Sequence, residues 1–256
     1  MGDRPHDRRC LRSGRGNLNG DDVATGNGAR RAPVPAAATQ GVGHPEGPGE
    51  RNLPGPGSVA KPRVDAVGHW TVRHSHTLYD NEYFRLRRDA CELPGGSALP
   101  RYYVWEVADW ANVIALTAQR ELVLVRQYRH GAGCHFYEFP GGVIETAEAD
   151  TPASAAAREL REETGYVPGR LEALGALYPN PALQNNRLHV FLALDCARVG
   201  PPELEPGEDL VTELVDLDAY LRDNGLGLPR HALMLAAFTL AVPRLHAIYP
   251  DLTAGD

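Results

Sequence analysis

GGVIETAEADTPASAAARELREETGY, residues 141–166, is the stretch on which the reading of this chain turns. Thr151 can cap a helix, Pro152 suits its first turn, and Gly165 can supply the left-handed residue that stops it. Between them Ala153, Ala156, Ala157, Leu160 and Thr164 recur at helical spacing, so this stripe is expected to face a sheet. Glu159 and Glu163 then run together along one edge of the stripe, and Glu162 lies further round, above Arg158 at i+4. Three carboxylates within five residues repel one another, and acids so late in a helix oppose its dipole. Stability alone does not choose that arrangement. Either the acids form a solvated face relieved by arginine pairs, or they hold a hard divalent cation such as Mg2+, which takes carboxylate oxygens while keeping waters and substrate phosphates.

Outward from the helix the pattern changes to strands. On the N-terminal side, ANVIALTA (residues 111–118) and ELVLVRQY (residues 121–128) are apolar on both faces and read as paired strands inside a sheet. CHFYEF (residues 134–139) follows a glycine-rich turn. Further upstream, three short strands joined by turns are expected between Trp70 and Val107. On the C-terminal side, strands are expected near 171–177, 187–195 and 210–217. In the middle one Leu188, Val190, Leu192 and Leu194 share a face opposite His189, Phe191 and Ala193. A short helix near 218–223 and a longer one from about Arg230 close the chain, the latter expected to bend or break at Pro243.

Composition bounds what this framework can be. The chain has 256 residues and a formal charge of −7. Residues 1–63 hold 12 Gly and 8 Pro, no aromatic residue, and ten basic against six acidic side chains, so they are expected to form a disordered tail. The remaining 193 residues carry 16 basic and 27 acidic groups, enough length for a real core and too much negative charge to favour nucleic acid. No apolar leader follows Met1, and the run at 232–242 is well short of the ~20 residues that span a bilayer. No membrane association is expected, and the cytoplasm is the expected location. Cys10, Cys91, Cys134 and Cys196 show no CxxC spacing, which points to neither a zinc knuckle nor a disulfide framework.

The stretch 141–166 resembles the signature of the Nudix hydrolase family, G-x5-E-x7-R-E-U-x-E-E-x-G-U, where U is a bulky aliphatic residue. Gly142, Arg158, Glu159, Leu160, Glu162, Glu163 and Gly165 match it, and Tyr166 replaces the final aliphatic. Counting forward from Gly142 puts Glu148 at the first acidic position, whereas counting back from Arg158 puts Asp150 there. The loop is two residues longer than the pattern, and both acids remain candidates. The resemblance implies an α/β fold, an α/β/α sandwich with a mixed sheet, preceded by a small N-terminal antiparallel β-sheet. It also implies Mg2+, with Mn2+ as a substitute, held by Glu159, Glu163 and the backbone carbonyl of Gly141. Glu162 would share in catalysis, and Gly142 would let substrate approach the backbone. The expected organisation is a tail over 1–63, a β subdomain over 64–109 and a Nudix domain over 110–256.

LVLVRQYRHGAGCHFYEFPGGVIE, residues 122–145, is similar to the segment carried by family members that act on ADP-ribose and other nucleotide sugars. By that likeness Arg126 and Arg129 contact phosphate or ribose through bidentate guanidinium groups, Arg129 with the better claim; the plain alternative is edge-strand charge. In the acidic loop holding Glu203, Glu205, Glu208 and Asp209, the resemblance assigns Glu208 as general base or further metal ligand, against a merely solvated loop. His130, His135, His189 and His231 lack metal spacing and read as structural or rim residues. The three upstream strands resemble the extension through which such members form homodimers, and they concentrate Tyr79, Tyr83, Phe84, Tyr102, Tyr103, Trp105 and Trp110. The expected activity is Mg2+-dependent hydrolysis of ADP-ribose or another nucleotide sugar to a nucleoside monophosphate and a sugar phosphate. The alternatives are hydrolysis of a dinucleoside polyphosphate or coenzyme A, and a non-catalytic nucleotide-sensing domain.

Overall fold

The computed structural model describes residues 68–145, 151–223 and 231–252. The expected tail over 1–63, Glu148 and Asp150 lie outside the described residues.

Three strands, β1 (Thr71–Asp80), β2 (Arg85–Glu92) and β3 (Ala98–Glu106), form an antiparallel sheet in that order. Its turns follow from local chemistry. Asn81 Oδ1 accepts the N–H groups of Tyr83 and Phe84, and Gly96 takes φ 81° in the second turn. β3 reaches the main body: Trp105 donates its N–H to the Leu183 carbonyl at 2.7 Å, and the Tyr102 hydroxyl donates to the Ala182 carbonyl at 2.8 Å.

The main sheet contains β4 (Trp110–Thr117), β5 (Glu121–Arg129), β6 (Cys134–Glu138), β7 (Gly141–Val143), β8 (Tyr166–Val167), β9 (Arg170–Leu177), β10 (Leu188–Arg198) and β11 (Leu210–Asp216). The strand path is β11-β5-β4-β10-β8, with β6 on β5, β7 on β4 and β9 on β10. β4 and β10 are parallel and the other pairs antiparallel, so the sheet is mixed. Trp110, grouped from sequence with the upstream sheet, instead opens β4.

Alternation along β4 and β10 feeds two cores, one on each face. Ile114, Leu116, Leu188, Val190, Leu192 and Leu194 pack on the side of α3 (Ala232–Ile248), with its Met234, Phe238 and Leu245. Ala111, Val113, Ala115, Phe191 and Ala193 pack on the side of α1 (Pro152–Thr164), with its Ala155, Ala156 and Leu160. Each fully buried leucine contributes about 1.5–3 kcal/mol, so this double alternation holds the α/β/α layering. A short α2 (Leu217–Asp223) follows β11. α3 runs uninterrupted through Pro243, which lies with Thr239 on the exposed side of the helix, where water can take the carbonyl that its missing N–H leaves free. Among the described residues no helix is long and apolar enough to cross a membrane.

α1 begins and ends where its caps demand. Thr151 and Ser154 form a reciprocal capping box, and Gly165 sits at φ 74° with its N–H on the Arg161 carbonyl. Its rotation corrects the expected stripe. Ala155, Ala156, Glu159, Leu160, Glu163 and Thr164 are buried, while Ala153 is exposed and Ala157 half-buried. The two glutamates therefore belong to the buried face rather than its edge. What draws them inward is the glycine pair opposite, which offers an N–H and leaves room that any side chain would fill.

Candidate active site

β7 is three residues of glycine-rich strand laid against β4, with Gly142 beside Ala111 and Gly141 beside Asn112. The Gly141 N–H donates to Glu163 Oε2 at 2.9 Å. A side chain on Gly142 would meet Glu159 Oε1 at 2.5 Å, so that carboxylate sits directly behind the strand. Glu159 and Glu163 are 8% and 4% exposed. Burial pushes Glu163 up to about 8, with Glu159 and Glu208 raising it further against the Gly141 N–H and Arg129. Burial likewise pushes Glu159 up to about 7; Arg158 opposes the rise while Glu162 and Glu208 add to it.

Arg158 holds this helix face in place. It reaches Glu159 at 3.0 Å and Glu162 at 2.8 Å, and donates to the Val143 carbonyl at 3.3 Å, tying α1 to the end of β7. Glu162 is thereby engaged on the helix surface and does not line the cavity.

The cavity in front of β7 has a volume of about 750 Å³. Gly141, Gly142, Glu163, Glu208, Arg129 and Glu138 all contribute to its wall. Glu208 enters from the loop before β11, where its Oε2 accepts the Glu205 N–H at 2.8 Å. Arg129 donates through Nε and Nη2 to both oxygens of Glu138, at 2.8 and 2.6 Å, and this pairing raises its already high pKa. Arg126 takes another course, paired across the sheet with Glu213 at 3.0 Å and absent from the cavity wall. Of the residues singled out from sequence, Gly141, Gly142, Glu163, Arg129 and Glu208 line the cavity, Glu159 is buried behind Gly142, and Arg126 and Glu162 do not line it.

Glu138, Asn112 and His231 also belong to the wall and were not singled out from sequence as site residues. Glu138 is 3% exposed and occupies, with Phe136, the inward alternation of β6; a carboxylate at an apolar strand position is the signal that could have found it. Asn112 is the same kind of signal, one amide inside an otherwise apolar run. His231, in front of α3, gave none.

No three His, Cys, Asp or Glu side chains among the described residues stand close enough together to hold a metal ion. The chemistry of the donors nevertheless fits a hard cation. Burial pushes the Glu159 and Glu163 carboxyls up toward neutrality, Glu208 shares the cavity wall with Glu163, and the buried Asn112 Oδ1 on the same wall has no hydrogen-bond partner among the described residues.

A sandwich that hangs buried helix glutamates behind a glycine strand defines a class, and the comparison with known families agrees. Residues 109–238 match the NUDIX domain family, and residues 70–105 match the nucleoside diphosphate sugar hydrolase N-terminal domain. The chain belongs to the Nudix family. It is similar to the ADP-ribose pyrophosphatase of Mycobacterium tuberculosis, 35% identical over 132 residues that make up 50% of this chain and 61% of that protein. It is also similar to the ADP-ribose pyrophosphatase of Bacillus subtilis, at 31% identity over 55% of this chain and 74% of that protein. The ADP-sugar pyrophosphatase of Mus musculus is 36% identical over 48% and 61% respectively. The chain thus spans about three fifths of the length of several curated relatives, 61% and 63% in two of them. A crystal structure titled as an ADP compounds hydrolase shares the fold, with a TM-score of 0.61 at 22% identity, covering 72% of this chain and 98% of that one.

Proposed function

We propose that this protein is a Mg2+-dependent hydrolase in the cytoplasm that cleaves the diphosphate of a nucleotide sugar, with ADP-ribose giving AMP and ribose 5-phosphate. The observation that carries the reading is the convergence of Glu163, Glu208 and Arg129 on one cavity behind which Glu159 is buried. The similar pyrophosphatases named above support the choice of substrate class.

Glu159, Glu163 and the Gly141 backbone would hold the cation, whose part is to neutralise charge on the diphosphate and polarise water. The chain's own groups do the rest. Glu138 takes up Nε and Nη2 of Arg129 and so fixes the guanidinium plane, which leaves Nη1 to meet a phosphate oxygen. Glu208 keeps one carboxylate oxygen on its loop and has the other to accept a proton from the attacking water. Arg158 keeps the buried acids and β7 in register.

A panel of ADP-ribose, other nucleotide sugars, dinucleoside polyphosphates and coenzyme A, assayed with the full chain in Mg2+ and in EDTA, tests this reading. The highest kcat/KM should fall on a nucleotide sugar and vanish in EDTA. Turnover that ignores EDTA, or none on any diphosphate, would overturn it.

The same reading includes a homodimer built on the sheet β1–β3. That sheet leaves Trp70, Tyr79, Tyr83, Tyr103 and Trp105 exposed even though β3 is fastened to its own core. Five large aromatic side chains on so small a sheet exceed the scattered apolar exposure of an ordinary surface. Light scattering at micromolar concentration should give a mass near two chains, and a mass near one with full activity rules the dimer out.

A further inference from the structure

His231 stands where the fold needs only a helix cap, yet its ring is placed for more. Its Nδ1 accepts the Leu233 N–H at 3.2 Å, and Phe136 lies edge-to-face against it at a centroid separation of 5.7 Å. A ring nitrogen that accepts carries no proton, so the proton sits on Nε2 and the ring presents one oriented donor. Among the described residues no protein group meets that Nε2–H. His231 lines the acid-bearing cavity and also a second one of about 470 Å³, which shares Arg129 with the first. A fixed donor beside a guanidinium, at the seam between two adjoining cavities, suits a molecule that crosses the seam. Its phosphate would lie by Arg129, and a hydroxyl-bearing part would reach past it.

Resting on the function proposed above, we infer that His231 is a specificity-determining residue, donating from Nε2 to a hydroxyl of the sugar that leaves as the sugar phosphate. The second cavity receives that sugar. Neither the acids nor the glycine strand distinguishes one group on the distal phosphate from another; His231 supplies the contact that does.

Two substitutions separate the cap from the donor. Asparagine caps helices well but its amide ends short of the Nε2 position, whereas glutamine carries an N–H out to that distance. With ADP-ribose and Mg2+, His231→Asn should keep its melting temperature, raise KM about tenfold and leave kcat within about twofold; His231→Gln should recover most of the KM. ADP, used as a competing inhibitor, has the diphosphate without the sugar, and its Ki should be the same in wild type and His231→Asn. An unchanged KM in His231→Asn reduces the residue to a cap, and a Ki for ADP that rises with the KM moves its contact off the sugar; either overturns the assignment. A wild type that hydrolyses no nucleotide sugar removes the functional reading itself, and this inference with it.

Discussion

Replacing Glu163 by Gln should lower kcat by about a hundredfold or more while leaving the fold intact, because the amide still accepts the Gly141 N–H but no longer offers an anionic oxygen to a cation. The same substitution has a second, opposite consequence in the absence of metal. Glu163 is pushed up to about 8 and Glu159 to about 7 by burial, from 4.5. A carboxyl whose folded pKa lies above its unfolded value binds more protons in the folded state, so its charge penalty is absent below about pH 4.5 and accumulates as the pH rises toward 8. In EDTA, wild-type melting temperature should therefore fall between pH 5 and pH 8 more steeply than that of Glu163→Gln, which should be the more stable of the two at pH 8. Adding Mg2+ should stabilise the wild type and do little for the variant. Undiminished turnover in Glu163→Gln would remove the residue from the site, and a variant less stable than wild type at pH 8 in EDTA would contradict the buried, unneutralised charge.

The second large effect is expected at Gly141. A side chain there collides with the carbonyl oxygen of Ala111 and approaches Asn112 Nδ2 to 2.5 Å and its Cα to 3.0 Å. Those atoms belong to β4, locked between two cores, so β7 must move instead and carry its N–H away from Glu163. Gly141→Ala should cost about 1–3 kcal/mol of stability, by the usual scale of overpacking, together with more than tenfold in kcat. Gly142→Ala meets only the end of the Glu159 side chain, at 2.5–2.8 Å, and that end can swing aside. It should spare the melting temperature and reduce activity. Thermal melts and kcat on both variants decide the matter; equal stability losses would show that β7 is not pinned as described.

What the sequence disclosed follows from which forces are local. The caps of α1 were legible because Thr151, Pro152 and Gly165 act on their own backbone, and the two faces of β10 were legible because strand alternation needs no partner to be recognised. The rotation of α1 was not, since counting apolar residues assigns glutamates to an edge, and only β7 across the gap makes an interior place for them. β7 and β8 are two or three residues long, too short for any period to show. The resemblance prefers Arg129 to Arg126, but their own local sequence gives no physical ground for it; Glu213 on β11 and Glu138 on β6 separate them, and those pairings are tertiary. Glu138 and Asn112 were visible as polar intruders in apolar strands, but their purpose depends on the cavity they border.

The loop that carries Glu208 is moored at both ends. Glu203 donates its N–H to the Glu162 carbonyl at 2.7 Å and receives Arg161 at 2.9 Å, while Leu210 begins β11 against β5. Between these moorings the arc 204–209 can lengthen or shorten without touching the helix acids or the sheet. Under the function proposed above, insertions in this arc alone would change how far Glu208 extends, and so where the attacking water is held. Diversity among relatives should then concentrate there as differences in length, while the helix and the glycine strand tolerate substitution but not indels.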